Sequence, residues 1–201
     1  MFLVEKGPGF EASRKLKKLG YNGVDSAELV FDNFRVSANN LLGGEEGKGL
    51  QTALSGLELG RINIAARGCG LAEAALMDSL RYAQQRETFG KRIAKHQAIQ
   101  LKLGEMATRV KAAKLLTYDA ARIYDTGERC DMEAGMAKYF ASEAAVENAM
   151  QAMRIHGGNS YSKEYDVERY YRDAPLMCIG EGTNEIQLML IAKQMIDRHR
   201  D

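Results

Sequence analysis

The chain has 201 residues, 28 of them Lys or Arg against 27 Asp or Glu, for a net charge of +1. That length buries a core without staples, as one large domain or one domain with an appendage, and the balance of charge removes the electrostatic footprint that nucleic-acid or anionic-membrane binding needs. Cys69, Cys130 and Cys178 are odd in number, widely spaced and without a CxxC pair, which suits neither a disulfide framework nor a zinc site and points to a reducing, cytoplasm-like compartment. Met1 to Pro8 has neither a secretory nor a transit pattern, and no apolar run is long enough to span a bilayer, so a soluble protein is expected.

In chain order, Ala27 to Val36 is β-branched and aromatic, and Pro8, Gly9, Gly20 and Gly23 punctuate the residues before it. One or two strands are expected, too few to close a sheet of their own, so the segment should complete a sheet supplied by other sequence or lean on the helices. The stretch GGEEGKG at 43–49 lacks the spacing of a nucleotide-binding loop and reads as a connector. After Gly49 the composition turns to Ala, Leu, Met, Glu and Lys. Leu50, Leu54, Leu57, Arg61, Ile64, Gly68, Leu71 and Ala75 recur at steps of four and three, which predicts a helix burying a narrow seam, with Arg61 standing on it. The same spacing returns from Ile99 to Tyr124 and is ended by Gly127. A third helix from about Asp131 to Ile155 presents Ala134, Ala137, Ala141, Ala145, Ala149 and Ala152 along one side, small enough for close helix approach. Gly157 and Gly158 end it, a short segment follows around Val167 to Arg172, and a last helix starts near Thr183, a candidate N-cap with Glu185 in the first turn. The expected fold is mainly α: an antiparallel four-helix bundle over 49–201, preceded by a short β segment over 1–48.

Three places could carry chemistry. Glu181 is flanked by Gly180 and Gly182 just before the last helix and follows the apolar run Pro175 to Ile179. Glycines on both sides expose the carboxylate, and a partly dry boundary would raise its proton affinity toward that of a general base; a solvated turn glutamate is the alternative. The turn Arg86 to Arg92, leading into His96 and Gln97 at a helix start, has the components of a phosphate or pyrophosphate site, although turns between helices are often basic simply because they are solvated. Arg61 must reach water or pair with an anion, either a protein carboxylate or a ligand. His96 and His156 have no carboxylate three residues earlier, so a di-iron bundle is excluded and no metal centre is expected. Met132, Met136, Met150 and Met153 read as core filler.

The stretches LELGRINIAARG (57–68), QRETFGKRIAKHQAIQLKLGEMA (85–107), AMRIHGGNSYSKEYDVERYYRDA (152–174) and IGEGTNEIQ (179–187) together resemble the acyl-CoA dehydrogenase family over essentially the whole chain. The resemblance implies the end of that family's middle β domain over 1–48 and its carboxyl-terminal bundle over 49–201. It implies FAD as cofactor and α,β-desaturation of an acyl-CoA thioester, in which Glu181 removes the α proton and the β carbon passes hydride to flavin N5. Some members carry the glutamate just before the family arginine, where this chain has Gly60. Arg61 and Gly182 match substrate-contacting positions; Arg86, Glu87, Thr88, His96, Gln97, Arg154, Gly158, Thr183, Asn184 and Glu185 match cofactor-contacting ones. An electron-transfer flavoprotein or similar acceptor, a homodimer or homotetramer, and a cytoplasmic location (mitochondrial matrix in a eukaryote) are implied too. Two positions depart from the pattern. Arg154 stands where an acidic or amide residue is expected, and Ser160 where glycine is, which would be strained if that site demands positive φ. A non-catalytic oligomerisation or binding module and an acyl-CoA oxidase-type enzyme are the competing readings.

Overall fold

The computed structural model describes residues 1–199, and the chain divides into two compact units between Leu57 and Glu58. In the first unit, β1 (Phe10–Lys15) pairs antiparallel with β2 (Ala27–Phe31), with Phe10 opposite Phe31 and a register shift between Ala12 and Arg14. The second strand stops short of the Val36 suggested by sequence, because Asn33 turns the chain at φ 48°. Phe34 then packs its ring edge-to-face on Phe31, centroids 5.6 Å apart, and Phe10 stands 5.2 Å from Phe31. Leu29, Val30 and Phe31 stay 45–56% exposed, as a bare strand pair must leave them.

The helix expected from Leu50 onward is broken. A short α1 (Gly49–Ser55) ends at Gly56, and α2 (Leu57–Gln85) begins directly after it. Glycine costs about 1 kcal/mol in a helix interior, so an interruption is cheapest there. Leu50 and Leu54 therefore lie on no buried seam and are 73% and 54% exposed, whereas Arg61, Ile64, Gly68 and Ala75 are buried as their spacing requires.

The second unit is an antiparallel four-helix bundle of α2, α3 (Gln97–Asp125), α4 (Asp131–His156) and α7 (Asn184–Arg198), with β3 (Glu87–Thr88) and β4 (Lys91–Arg92) as a tight hairpin between α2 and α3. The hairpin turns on Phe89 and Gly90, both at positive φ. Gly127 at φ 77° follows the end of α3, and Gly157 at φ 59° ends α4. Between α4 and α7 the chain forms α5 (Val167–Asp173) and α6 (Pro175–Ile179); the apolar run before Glu181 is thus a helical turn started by proline at its first position.

Helix α4 is the hub: α3, α5, α6 and α7 all pack on it. Its alanine stripe from Ala134 to Ala152 is wholly buried, which brings neighbouring axes close. A methyl added at Gly68 of α2 would stand 2.7 Å from the Ala141 carbonyl oxygen of α4. Backbone cannot yield as a side chain can, so Gly68→Ala should cost about 1–3 kcal/mol, read as a lower midpoint in thermal unfolding, despite alanine's better helix propensity. Asn148 ties three helices, its Nδ2 donating to the Ala72 carbonyl of α2 (3.2 Å) and the Met106 carbonyl of α3 (3.1 Å). Among the described residues, no helix is long and apolar enough to cross a membrane.

Candidate active site

Between α6 and α7 the backbone runs through an unusual pair: Glu181 at φ 55° and Gly182 at φ 89°. For a non-glycine residue the left-handed region costs about 1–3 kcal/mol and persists only where neighbours over-determine it. Here they do. Gln187, fully buried, donates through Nε2 to the carbonyls of Glu181 and Gly182, each at 3.2 Å. Lys138 of α4, also fully buried, donates to the carbonyls of Cys178 (3.0 Å) and Gly182 (2.8 Å) and to Asn184 Oδ1 (2.8 Å), and burial pulls its pKa below the usual lysine range. At Gly182 a methyl would meet Gln187 Nε2 at 2.9 Å, so both conformation and space require glycine.

Held this way, the Glu181 side chain lies over Gly60 of α2: a methyl there would stand 2.6 Å from Glu181 Oε2. The carboxylate thus fills the space above the residue before Arg61, the position at which the resemblance puts the glutamate of some family members. The boundary is wetter than the apolar run suggested. Glu181 is exposed, and Ile179 is 61% exposed.

Arg61 is buried at 7% exposure and finds a protein carboxylate, its Nη1 lying 3.8 Å from Asp131 Oδ1, while its Nε has no partner. Asp131 also pairs with Arg129 and shares a hydrogen bond with Glu58. Burial, followed by the bond to Asp131, pushes Glu58 above the usual carboxylate range. Asp131 feels the same burial penalty, but the bonds from Glu58 and Arg129 and the charges of Arg129 and Arg61 outweigh it and hold Asp131 down. Of the two carboxyls, Glu58 is thus the one whose proton affinity is raised, and Asp131 the one favoured as the charged partner of Arg61.

The second cluster lies at the hairpin. Arg86, Thr88 and His96 converge with Gly158 on a cleft of about 580 Å³ that Tyr82, Ile93 and His156 also wall. Thr88 Oγ1 and His96 Nε2 are 3.1 Å apart. His156 stacks on Tyr82 with centroids 4.2 Å apart, and burial lowers its pKa, which favours the uncharged ring in this wall of the cleft. Glu87, Gln97 and Arg154 are exposed and are not among the cleft's lining residues. Thr183, Asn184 and Glu185 stand at the start of α7 instead. Thr183 is the N-cap residue but makes no side-chain bond to the backbone; the Glu185 carboxyl is held down first by its own backbone N–H and then by the Thr183 hydroxyl. The Asn184 amide faces inward, 5% exposed and engaged by Lys138, Ser142 and Glu143.

Strain anticipated at Ser160 does not arise. The positive φ falls on Gly157, and Ser160, buried in a 3₁₀ turn, donates its hydroxyl to the Gly157 carbonyl at 2.7 Å. Sequence reasoning missed Lys138 and Gln187. Lys138 sits between Ala137 and Ala141 on the buried stripe, and the argument applied to Arg61, a charge at a seam position, would have found it.

The bundle thus presents a glutamate on a glycine-flanked loop over Gly60 of α2, and it brings Arg86, Thr88 and His96 to one cleft at the hairpin between α2 and α3. Residues 47–196 match the acyl-CoA dehydrogenase C-terminal domain. The chain is 50% identical over 196 residues to an acyl-CoA dehydrogenase of Bacillus subtilis, covering 97% of this chain and 52% of that protein. It is 39% identical over 198 residues to the caffeyl-CoA reductase-Etf complex subunit CarC of Acetobacterium woodii, covering 98% and 52%. The structure of butyryl-CoA dehydrogenase from Megasphaera elsdenii superposes with a TM-score of 0.94 at 42% identity, covering 97% of this chain and 51% of that one. The chain belongs to the acyl-CoA dehydrogenase family, and it spans about half the length of the relatives it matches.

Proposed function

We propose that the protein is an FAD-dependent acyl-CoA dehydrogenase that desaturates a thioester between its α and β carbons, with Glu181 as the base. The observation that carries this reading is the Glu181 carboxylate, held by a left-handed backbone directly above Gly60, the residue before Arg61. Glu181 takes the α proton; the electrons of that C–H bond form the new double bond as hydride leaves the β carbon. Thioester α protons are only weakly acidic, so the carbonyl must be polarised by hydrogen bonds, for which the Glu181 backbone N–H is the family's donor. Arg61 and Gly182 are the substrate-facing positions.

The residues present suit FAD. Arg86, Thr88 and His96 bring a guanidinium, a hydroxyl and an imidazole to one cleft, a donor set matched to a pyrophosphate, and Gly158 leaves its wall free of a side chain. Glu87, Gln97, Arg154, Thr183 and Glu185 are the further cofactor-facing positions, and Asn184 supports them through its inward amide. When bound, FAD supplies the hydride acceptor.

An electron-transfer flavoprotein is the proposed onward acceptor, supported by the Etf complex in the name of the CarC relative. A homodimer or homotetramer and a cytoplasmic or matrix location complete the reading, with 1–48 as the end of a middle β domain and 49–201 as the bundle. Of the two departures that favour the module reading, Ser160 sits without strain, whereas Arg154 still stands where an acidic or amide residue is expected.

The test is product identity. The FAD-loaded full-length polypeptide carrying this sequence, given butyryl-, octanoyl- and isovaleryl-CoA with a dye acceptor, should convert at least one to an enoyl-CoA two hydrogens lighter by mass. No enoyl product from any of them, with FAD demonstrably bound, would count against the reading.

A further inference from the structure

We infer that Lys138 is a positioning residue, a buried ammonium that fixes the backbone carrying Glu181 in its left-handed conformation. The inference rests on the assignment of Glu181 as base. A lysine with no exposed surface is costly unless all its donors are met, and a methionine or leucine would fill the same space in an alanine-lined helix seam without that cost. Here each of the three N–H groups has an acceptor, and all three acceptors belong to the same seven-residue stretch: the Cys178 carbonyl before Glu181, the Gly182 carbonyl after it, and the Asn184 side chain at the first turn of α7. The ammonium therefore bridges the loop across the base without touching it in any of these bonds.

The anchor is itself fixed. Asn184 is gripped on its other side by Ser142 Oγ (3.0 Å) and Glu143 Oε1 (2.6 Å), so the clamp is made twice from consecutive turns of α4, the helix on which most of the bundle packs. Without the ammonium, the part-buried Cys178 carbonyl loses this donor and the Gly182 carbonyl keeps only Gln187; an unmet carbonyl costs more than the bond contributes when made, and the cheapest escape is for the loop to turn outward to water. Relaxation of Glu181 out of φ 55° would carry its carboxylate away from Gly60. Lys138 thus acts on the rate through the place of the base, with no contact to substrate.

Lys138→Met and the milder Lys138→Gln, whose amide keeps two donors, test this in the FAD-loaded full-length polypeptide beside Glu181→Gln. With butyryl-CoA under anaerobic conditions, the limiting rate of flavin reduction should fall about 100-fold in Lys138→Met and less in Lys138→Gln, with the apparent dissociation constant of the thioester changed by no more than about threefold. Amide hydrogen exchange of a peptide covering 179–184 should quicken in both variants without flavin reduction entering the measurement. Combined with Glu181→Gln, Lys138→Met should slow reduction no further. Should Lys138→Met fail to fold, the Lys138→Gln comparison decides alone. Unchanged reduction in Lys138→Gln, or equal loss of rate and affinity, overturns the positioning role while leaving Glu181 as base; unchanged reduction in Glu181→Gln overturns the base assignment instead.

Discussion

Glu181→Gln should slow thioester-driven flavin reduction by about 10²–10⁴-fold, the usual contribution of a positioned general base. Glutamine keeps the size and branching of the side chain over Gly60 but cannot accept a proton from carbon. The fold should not notice. The loop conformation is held by Lys138 and Gln187 acting on backbone carbonyls of Cys178, Glu181 and Gly182, none of which the substitution changes. FAD retention after gel filtration and the thermal midpoint should both match the unaltered protein, while rapid-mixing reduction by butyryl-CoA shows the loss. Reduction at the original rate would place the base elsewhere.

Gly60→Ala should separate stability from rate in the opposite sense to most substitutions. The added methyl would meet Glu181 Oε2 at 2.6 Å and Cδ at 2.8 Å, contacts that cannot stand, yet the atoms to be moved are the far end of a flexible side chain. Alanine is better than glycine in a helix interior by about 1 kcal/mol, so thermal stability should hold or rise slightly. The carboxylate, however, must leave its place, and a displacement of about 1 Å at a reacting group costs on the order of 100-fold in rate. Unfolding and rapid-mixing traces on one preparation check both halves. An unaltered rate would mean that the position of the carboxylate above Gly60 is not the one used.

How much of this was legible in the sequence differs by element. The bundle was, because helical spacing of buried residues from Arg61 to Ala75, from Met106 to Ala120 and along the alanine stripe of α4 reports a physical period that packing then enforces. The break at Gly56 was not. Leu50 and Leu54 continue the same spacing, but the interruption separates them from the helix whose seam they seemed to extend. The hairpin from Glu87 to Arg92 hid inside a turn because two-residue strands carry no periodic signal, and the turn on Phe89 and Gly90 places a bulky residue at positive φ. At the candidate site, Glu181 stood out through its flanking glycines. What fixes it did not: Gln187 lies only five and six residues from its acceptors, but nothing local shows that its amide turns back onto the loop, and Lys138 reaches across 44 residues to the Gly182 carbonyl through the packing of α4 against α7. Arg61 showed its burial cost in the sequence, but its Asp131 partner lay on another helix.

The most direct measurement is the visible absorption of the FAD-loaded full-length polypeptide as acyl-CoA thioesters are added without oxygen. The account predicts that the oxidised flavin band bleaches with at least one of butyryl-, octanoyl- or isovaleryl-CoA, and that the Glu181→Gln protein keeps its flavin band over the same interval. Bound flavin that no thioester bleaches, or bleaching undiminished in Glu181→Gln, would contradict it.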